Sequence, residues 1–265
     1  MSDANHESMR ASKVYLVGAG PGDAELLTLR AVRVLASAHF VLHDALVSAE
    51  VLAIAAENAV LENVGKRCGE RVIRQEQIHA RMIELARAGF SVVRLQGGDP
   101  AIFGRAGEEI SALARAGVKW EIVPGITAAS AAAAAAGISL TDRRTAGQLI
   151  FLAGHRASDG AALEIPGPPP GGATVAIHMP ATSYAEIVRE FLNSGWCAET
   201  PCILVSEAAS VRQRVLQSTI GSLGNCDRLP SPSILIVGAT ARASEFVLGE
   251  IENEIAAREI IAASA

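Results

Sequence analysis

Apolar residues come in short runs of four or five along this chain. Each run is broken by glycine, proline or an acid, and longer stretches follow in which apolar positions recur every three or four residues. The short runs suit buried strands and the longer stretches suit helices packed over them. Residues 14–17, 40–43, 59–64, 91–95 and 119–123 read as strands in the first half. Helices are predicted from Asp23, as cap, to about His39, near 47–57, over 75–87 with Gly89 as stop, over 106–116, and over the alanine-rich 126–136. Strands alternating with helices predict a parallel sheet.

The rhythm changes near Leu140 to Arg144. Strands follow at 148–153, 174–179, 201–206 and 233–237, with a helix at 184–193 and an extended piece at 212–218. The run Pro166-Gly167-Pro168-Pro169-Pro170-Gly171-Gly172 reads as a surface loop. The expected organisation is a leader over 1–12 without order, an α/β domain over 13–140, a second α/β domain over 141–245, and a helical tail over 246–265.

Two glycine loops stand at strand ends. Gly97-Gly98-Asp99-Pro100 leaves main-chain groups bare for a ligand at the carboxyl end of its strand, where open α/β sheets bind small molecules. Gly18-Ala19-Gly20-Pro21-Gly22 admits two interpretations. One is a dinucleotide fold, with Asp44 at the end of the second strand as the ribose-binding acid. Against it, Asp23 takes the place of the third glycine and Pro21 removes an N–H, and both changes disfavour a pyrophosphate. The other is the glycine loop of the common S-adenosylmethionine (SAM) methyltransferases, which usually has an acid two residues before the first glycine. Here that residue is Leu16. The loop alone leaves both open, beside a purely structural turn.

The chain has 265 residues, enough for one large or two modest domains, and half of them are hydrophobic. Only 4% are aromatic, so close helix–sheet packing through small side chains is expected. A net charge of −5 argues against nucleic acid or an anionic membrane as main partner. Cys68, Cys197, Cys202 and Cys226 form no CxxC pair, which suits a reducing cytoplasm and gives no reason to expect a metal. The stretch 126–140 is too short to span a bilayer.

Five motifs then speak together. VGAGPGD at 17–23, VGKRCG at 64–69, LQGGDPAIFGRAGEE at 95–109, VPGITAASAAAAAAGISLT at 123–141 and AGH at 153–155, with a closing ILIVG at 234–238, follow the order and spacing of the tetrapyrrole methylases. Within that superfamily the chain resembles the branch that C-methylates uroporphyrinogen III, over roughly residues 13–240. The resemblance implies two α/β domains with a SAM-binding cleft between them, a homodimer, and a small-molecule tetrapyrrole as partner. It implies two methylations in turn, at C2 and C7, giving precorrin-2 for sirohaem and cobalamin synthesis. Alternatives are a methyltransferase acting on a later corrin precursor, an NAD-linked oxidoreductase, and a tetrapyrrole carrier without turnover.

Carried over residue by residue, the SAM contacts of the family fall on Pro21, Gly97, Gly98, Asp99, Ile102, Thr127, Ala128, Met179 and Ala208. The proton acceptor falls on Asp44 and the proton donor on Lys66. Eight substrate carboxylates call for a cationic rim, for which Arg67, Arg71, Arg74, Arg105, Arg143, Arg144 and Arg156 are available. Arg105 and Arg143 lead among them, with Glu108 and Glu109 orienting Arg105. The sequence departs from the family's Thr-His-Arg triplet at Thr141-Asp142-Arg143, which adds a negative charge where substrate carboxylates are expected.

Overall fold

The computed structural model describes residues 13–65, 73–154, 163–180 and 183–242. The chain divides into two compact units, Met1–Thr127 and Ala128–Ala265. The leader, the 246–265 tail, Lys66, Arg67, Arg71, Cys68 and Arg156 lie outside the described residues.

In the first unit five strands, β1 (Lys13–Gly18), β2 (Phe40–His43), β3 (Val60–Asn63), β4 (Val92–Gln96) and β5 (Lys119–Val123), form one sheet. Their order is β3-β2-β4-β1-β5 and every pairing is parallel. All five carboxyl ends therefore meet one edge of the sheet, the edge that carries ligands in such folds. The covering helices are α1 (Leu29–Leu35), α2 (Ala49–Leu52), α3 (Gln75–Arg87) and α4 (Ala106–Arg115). Period-2 alternation divides the core between the two faces. Val14, Leu16, Leu42 and Val92 pack with Ile78, Met82 and Leu85 of α3 and Leu113 of α4. Val17, Val41, Val93 and Leu95 pack with Ala31, Val34 and Leu35 of α1.

Two helix starts differ from the sequence expectation. Asp23 caps only a 3₁₀ turn, Ala24–Leu26, its side chain accepting from the Glu25 N–H at 2.8 Å. The helix proper begins at Leu29, because the Thr28 hydroxyl accepts from the Ala31 N–H at 3.1 Å. The helix expected near 47–57 is the four-residue α2, capped by Ser48.

The second unit holds β6 (Gln148–Ala153), β7 (Ala173–His178), β8 (Pro201–Ser206), β9 (Arg214–Thr219) and β10 (Ser233–Val237), in the order β6-β7-β10-β8-β9. Only β6 and β7 are parallel neighbours; β10 runs antiparallel to both β7 and β8. Hence β6, β7 and β8 point the same way and end on the same edge. One face is covered by α6 (Tyr184–Asn193) and α7 (Ile220–Leu223), through Tyr184, Ile187, Phe191 and Leu223. The other face takes α5 (Ala128–Ala135), whose Ala129, Ala132 and Ala133 lie against Ala176, Ile203, Val205 and Ile236. This packing explains why the chain divides between Thr127 and Ala128 rather than at the expected boundary near Leu140. The alanine-rich face of α5 fits closely on the second sheet, so the helix belongs with the strands that follow it. Among the described residues, no helix is long and apolar enough to cross a membrane.

Candidate active site

Three backbone segments interlock at the carboxyl edge of the first sheet. Gly20 and Gly98 exchange hydrogen bonds, Gly98 N–H to Gly20 C=O at 2.7 Å and Gly20 N–H to Gly98 C=O at 3.2 Å. A Cβ on Gly18 would stand 2.5 Å from the Gly98 oxygen and 2.6 Å from the Gly125 Cα. Only glycine permits this approach, and it draws the loops after β1, β4 and β5 into one platform. Both oxygens of Asp99 hold the platform together, Oδ1 accepting from Ala101 N–H at 2.8 Å and Oδ2 from Gly125 N–H at 3.0 Å. Pro21 and Ile102 lie half-buried beside it.

Two features of the platform suit a ligand. Gly97 is exposed, and a Cβ there would meet nothing within 4 Å, so its backbone faces open space. Thr127, two residues past Gly125, holds a buried hydroxyl with no hydrogen-bond partner among the described residues. Buried polar groups are normally satisfied, so an orphan at a loop junction suits a ligand hydrogen bond. An open glycine face and an orphan hydroxyl fit a polar ligand with an amino-acid portion.

The sequence reading missed a buried ionic network beneath this edge. Val92, Arg94 and Gln96 alternate onto the α3/α4 face of central β4, and Arg94 is 4% exposed. Arg94 Nε donates to Glu109 Oε1 at 3.0 Å and its NH2 group donates to Asp44 Oδ1 at 2.6 Å. Gln96 Nε2 donates to both Glu109 oxygens at 3.2 Å and to the Gly104 carbonyl at 2.9 Å, while Gln75 Nε2 reaches Glu109 Oε1 at 3.1 Å. Glu109 is fully buried, and burial pushes its carboxyl above the usual range, opposed first by the Arg94 charge. Asp44 follows β2 with a third of its side chain exposed.

This corrects one expectation. Glu109 does not orient Arg105; it faces inward on the stripe of Ala106, Ala112 and Leu113. Glu108 pairs with Arg105, in two contacts of 2.7 and 2.6 Å. The spacing was a usable signal, since Glu109 stands three residues after Ala106 and four before Leu113 on one helical face. A charged residue at the centre of a buried parallel strand, Arg94, demanded a buried partner.

Strained backbone marks loops at strand ends in each unit. Among the described residues, the non-glycine positive φ angles fall at Phe103 (55°), Arg105 (60°), Met179 (53°), Glu207 (46°) and Ala209 (59°). Such conformations cost about 1–3 kcal/mol each and collect where side chains must be aimed. Two of these residues sit in the loop after β4, one follows β7, and two flank Ala208 after β8.

In the second unit Met179 is 44% exposed, which sets aside an ordinary core methionine. A Cβ on Gly154 would stand 2.2 Å from the Met179 oxygen, so the loops after β6 and β7 touch through that glycine. Ala208 and Ala128 both rest on the α5 side of the sheet. The hairpin closed by Asp142 and Ala146 exposes Arg143. Asp142 turns to Arg144, accepting from its backbone N–H at 2.8 Å and its NH2 group at 2.7 Å, and Arg144 lowers its pKa to about 2. The extra charge at the altered triplet is thereby neutralised locally by Arg144, not by Arg143. Arg74 sits at the start of α3 with an exposed side chain.

Comparison with known proteins gives a consistent result. A family model described as tetrapyrrole (corrin/porphyrin) methylases matches residues 13–224. The chain is 44% identical over 237 residues to a uroporphyrinogen-III C-methyltransferase of Paracoccus denitrificans, covering 88% of this chain and 83% of that protein. It is 42% identical to siroheme synthase 2 of Serratia proteamaculans, over 89% of this chain and 50% of that protein, so it spans about half of that longer relative. A crystal structure of uroporphyrin-III-C-methyltransferase from Thermus thermophilus superposes with TM-score 0.74 at 39% identity, covering 91% of this chain and 96% of the other. Another structure from that organism, complexed with S-adenyl homocysteine, superposes with TM-score 0.71 at 34% identity, covering 87% of this chain and 93% of the other.

Proposed function

Because the chain belongs to the tetrapyrrole (corrin/porphyrin) methylase family, we propose that it is the SAM-dependent methyltransferase that converts uroporphyrinogen III to precorrin-2 by methylation at C2 and then C7. The observation that carries this reading is the platform of Gly18, Gly98 and Gly125, with an open face at Gly97 and an orphan hydroxyl at Thr127. The names of the Paracoccus and Thermus relatives supply the substrate. A corrin methylase acting later is the weaker alternative, since a cobalt precorrin-4 methyltransferase structure is 27% identical, against 39% for the uroporphyrin enzyme. No observation favours the dinucleotide reading or a carrier without turnover.

SAM, when bound, supplies an electrophilic sulfonium methyl and leaves as S-adenosylhomocysteine (SAH). The backbone at Gly97 and Gly98, the hydroxyl of Thr127 and the loop braced by Asp99 would hold its polar end, with Pro21 and Ile102 beside them; Ala128, Met179 and Ala208 of the second unit are the apolar contacts that the resemblance implies. Each methylated pyrrole carbon already carries a side chain and becomes quaternary, so the macrocycle left cationic by the incoming methyl must shed a proton from an N–H or a bridging C–H elsewhere on the ring. Asp44 is a carboxylate at the sheet edge, held on one oxygen by Arg94, and it accepts that proton. Lys66, the proton donor in this reading, lies outside the described residues. Arg105, oriented by Glu108, and Arg143 bind substrate carboxylates. Turnover as a homodimer in the cytoplasm completes the proposal.

Titration calorimetry with SAH and with NAD tests the cofactor. SAH binds and NAD does not; NAD binding without SAH binding overturns the reading. Thr127→Val sharpens it. Losing one hydrogen bond weakens SAH about 3- to 10-fold, corresponding to roughly 0.5–1.5 kcal/mol, while the melting temperature holds or rises because the orphan hydroxyl is gone. Arg105→Ala raises the KM for the tetrapyrrole by about 10-fold, the worth of one charge-assisted contact, and leaves the KM for SAM nearly unchanged. The reverse order removes Arg105 from the substrate rim.

A further inference from the structure

Asp44 is neither isolated nor free to choose its direction. Its Oδ1 accepts from the NH2 group of Arg94 at 2.6 Å, and Arg94 is anchored in turn by Glu109 at 3.0 Å and by the carbonyls of Leu95 at 3.2 Å and Leu42 at 3.4 Å. A guanidinium is a rigid planar fork, so fixing one edge fixes the other. Glu109 is fixed from two further sides, by Gln75 at the start of α3 and by Gln96 on β4. Gln96 also holds the Gly104 carbonyl, whose residue adjoins Arg105. A Cβ on Gly104 would meet the Pro100 oxygen at 2.6 Å, so this loop has little room to shift. One buried carboxylate thus ties together α3, α4, the loop carrying Arg105, and the strand that directs Asp44.

From these contacts we infer that Arg94 and Glu109 are positioning residues for Asp44: Glu109 aims the Arg94 fork, and the fork sets where the Asp44 carboxylate stands. The inference rests on the reading of Asp44 as proton acceptor given above. It explains why a strand whose other residues are Val92, Val93, Leu95 and Gln96 carries an arginine at its centre. A buried ion pair adds little net stability over an apolar replacement of similar volume, so its presence here suits a role in geometry.

The test is anaerobic steady-state kinetics with uroporphyrinogen III and SAM on Asp44→Asn, Glu109→Gln, Arg94→Lys and the double variant Asp44→Asn/Glu109→Gln, with SAH affinity and melting temperature measured on each. Glu109→Gln keeps the size of the side chain, and Arg94→Lys approaches the same contact from the other partner, so a folding failure in one leaves the other. In the folded variants kcat falls by about 10-fold or more, as displacement of a reacting group predicts, while SAH affinity and the KM for SAM stay within about 2-fold. The double variant turns over no more slowly than Asp44→Asn alone, since the second change acts through a carboxylate already removed. Equal losses from Glu109→Gln in the presence and absence of Asp44 overturn the inference, as does full kcat in Glu109→Gln or Arg94→Lys beside a slow Asp44→Asn. A merely structural network would lower the melting temperature and leave kcat intact. Full turnover in Asp44→Asn strikes instead at the proton-acceptor reading itself, and the inference falls with it.

Discussion

Arg94→Ala lowers the stability of the chain by about 3–5 kcal/mol at neutral pH, because it strands a buried carboxylate without its ion partner. Glu109 is fully buried, and Arg94 is the leading influence that offsets the burial pushing its carboxyl upward. With the guanidinium gone, that upward push is larger. The folded variant then binds a proton that the unfolded chain releases, so its stability rises as pH falls from the raised value toward the ordinary carboxylate range. The deficit relative to the unsubstituted chain is therefore greatest at neutral and alkaline pH and shrinks on acidification. Urea unfolding at about pH 8 and about pH 5 reads it directly. A deficit below about 1 kcal/mol, or one that grows on acidification, contradicts the assignment of Glu109 as a buried charge balanced by Arg94.

Two glycine substitutions a short distance apart both weaken SAH binding but differ in their cost to stability. In Gly125→Ala the new Cβ would lie 2.2 Å from the Gly98 oxygen and 2.8 Å from the Gly18 Cα, both backbone, so the three loops must part. The cost is about 1–3 kcal/mol of stability, as for overpacking, and SAH affinity drops about 10-fold or more, equivalent to 1.4 kcal/mol. In Gly97→Ala the Cβ meets nothing within 4 Å. Stability stays within about 0.5 kcal/mol, yet SAH affinity falls by a similar factor, because the methyl occupies the face the ligand uses. Calorimetry and melting of both variants separate the effects. Unchanged SAH binding in Gly97→Ala would mean that the open face is not where the ligand lies.

Much of this architecture was legible in the chain. The strands ending at Gly18, His43, Gln96 and Val123 announced themselves by short apolar runs stopped by glycine, acid or proline, because buried parallel strands admit little else. The glycine loops marked the sheet edge for the same reason. What was not legible depended on contacts distant in sequence. Nothing local says that Thr28 rather than Asp23 starts α1, since both are good caps. Nor does local pattern reveal that β10 inserts antiparallel between β7 and β8, which is a matter of long-range pairing. The alanines of α5 looked like a helix of the first domain because their small faces name no partner. Glu109 was expected beside Glu108 as an orienter of Arg105, and its burial follows from the helical face it shares with Ala106 and Leu113. Met179, singled out in sequence only by the resemblance, is distinguished in the structure by its exposure and its left-handed backbone.

The central claim is the chemistry, and the most direct measurement is an anaerobic incubation of the purified protein with uroporphyrinogen III and SAM, followed by the mass of the tetrapyrrole. The account predicts that each tetrapyrrole gains two methyl groups through a singly methylated intermediate, with two equivalents of SAH released. An unchanged uroporphyrinogen III, from protein shown to bind SAH, would contradict it and transfer the activity to a different tetrapyrrole.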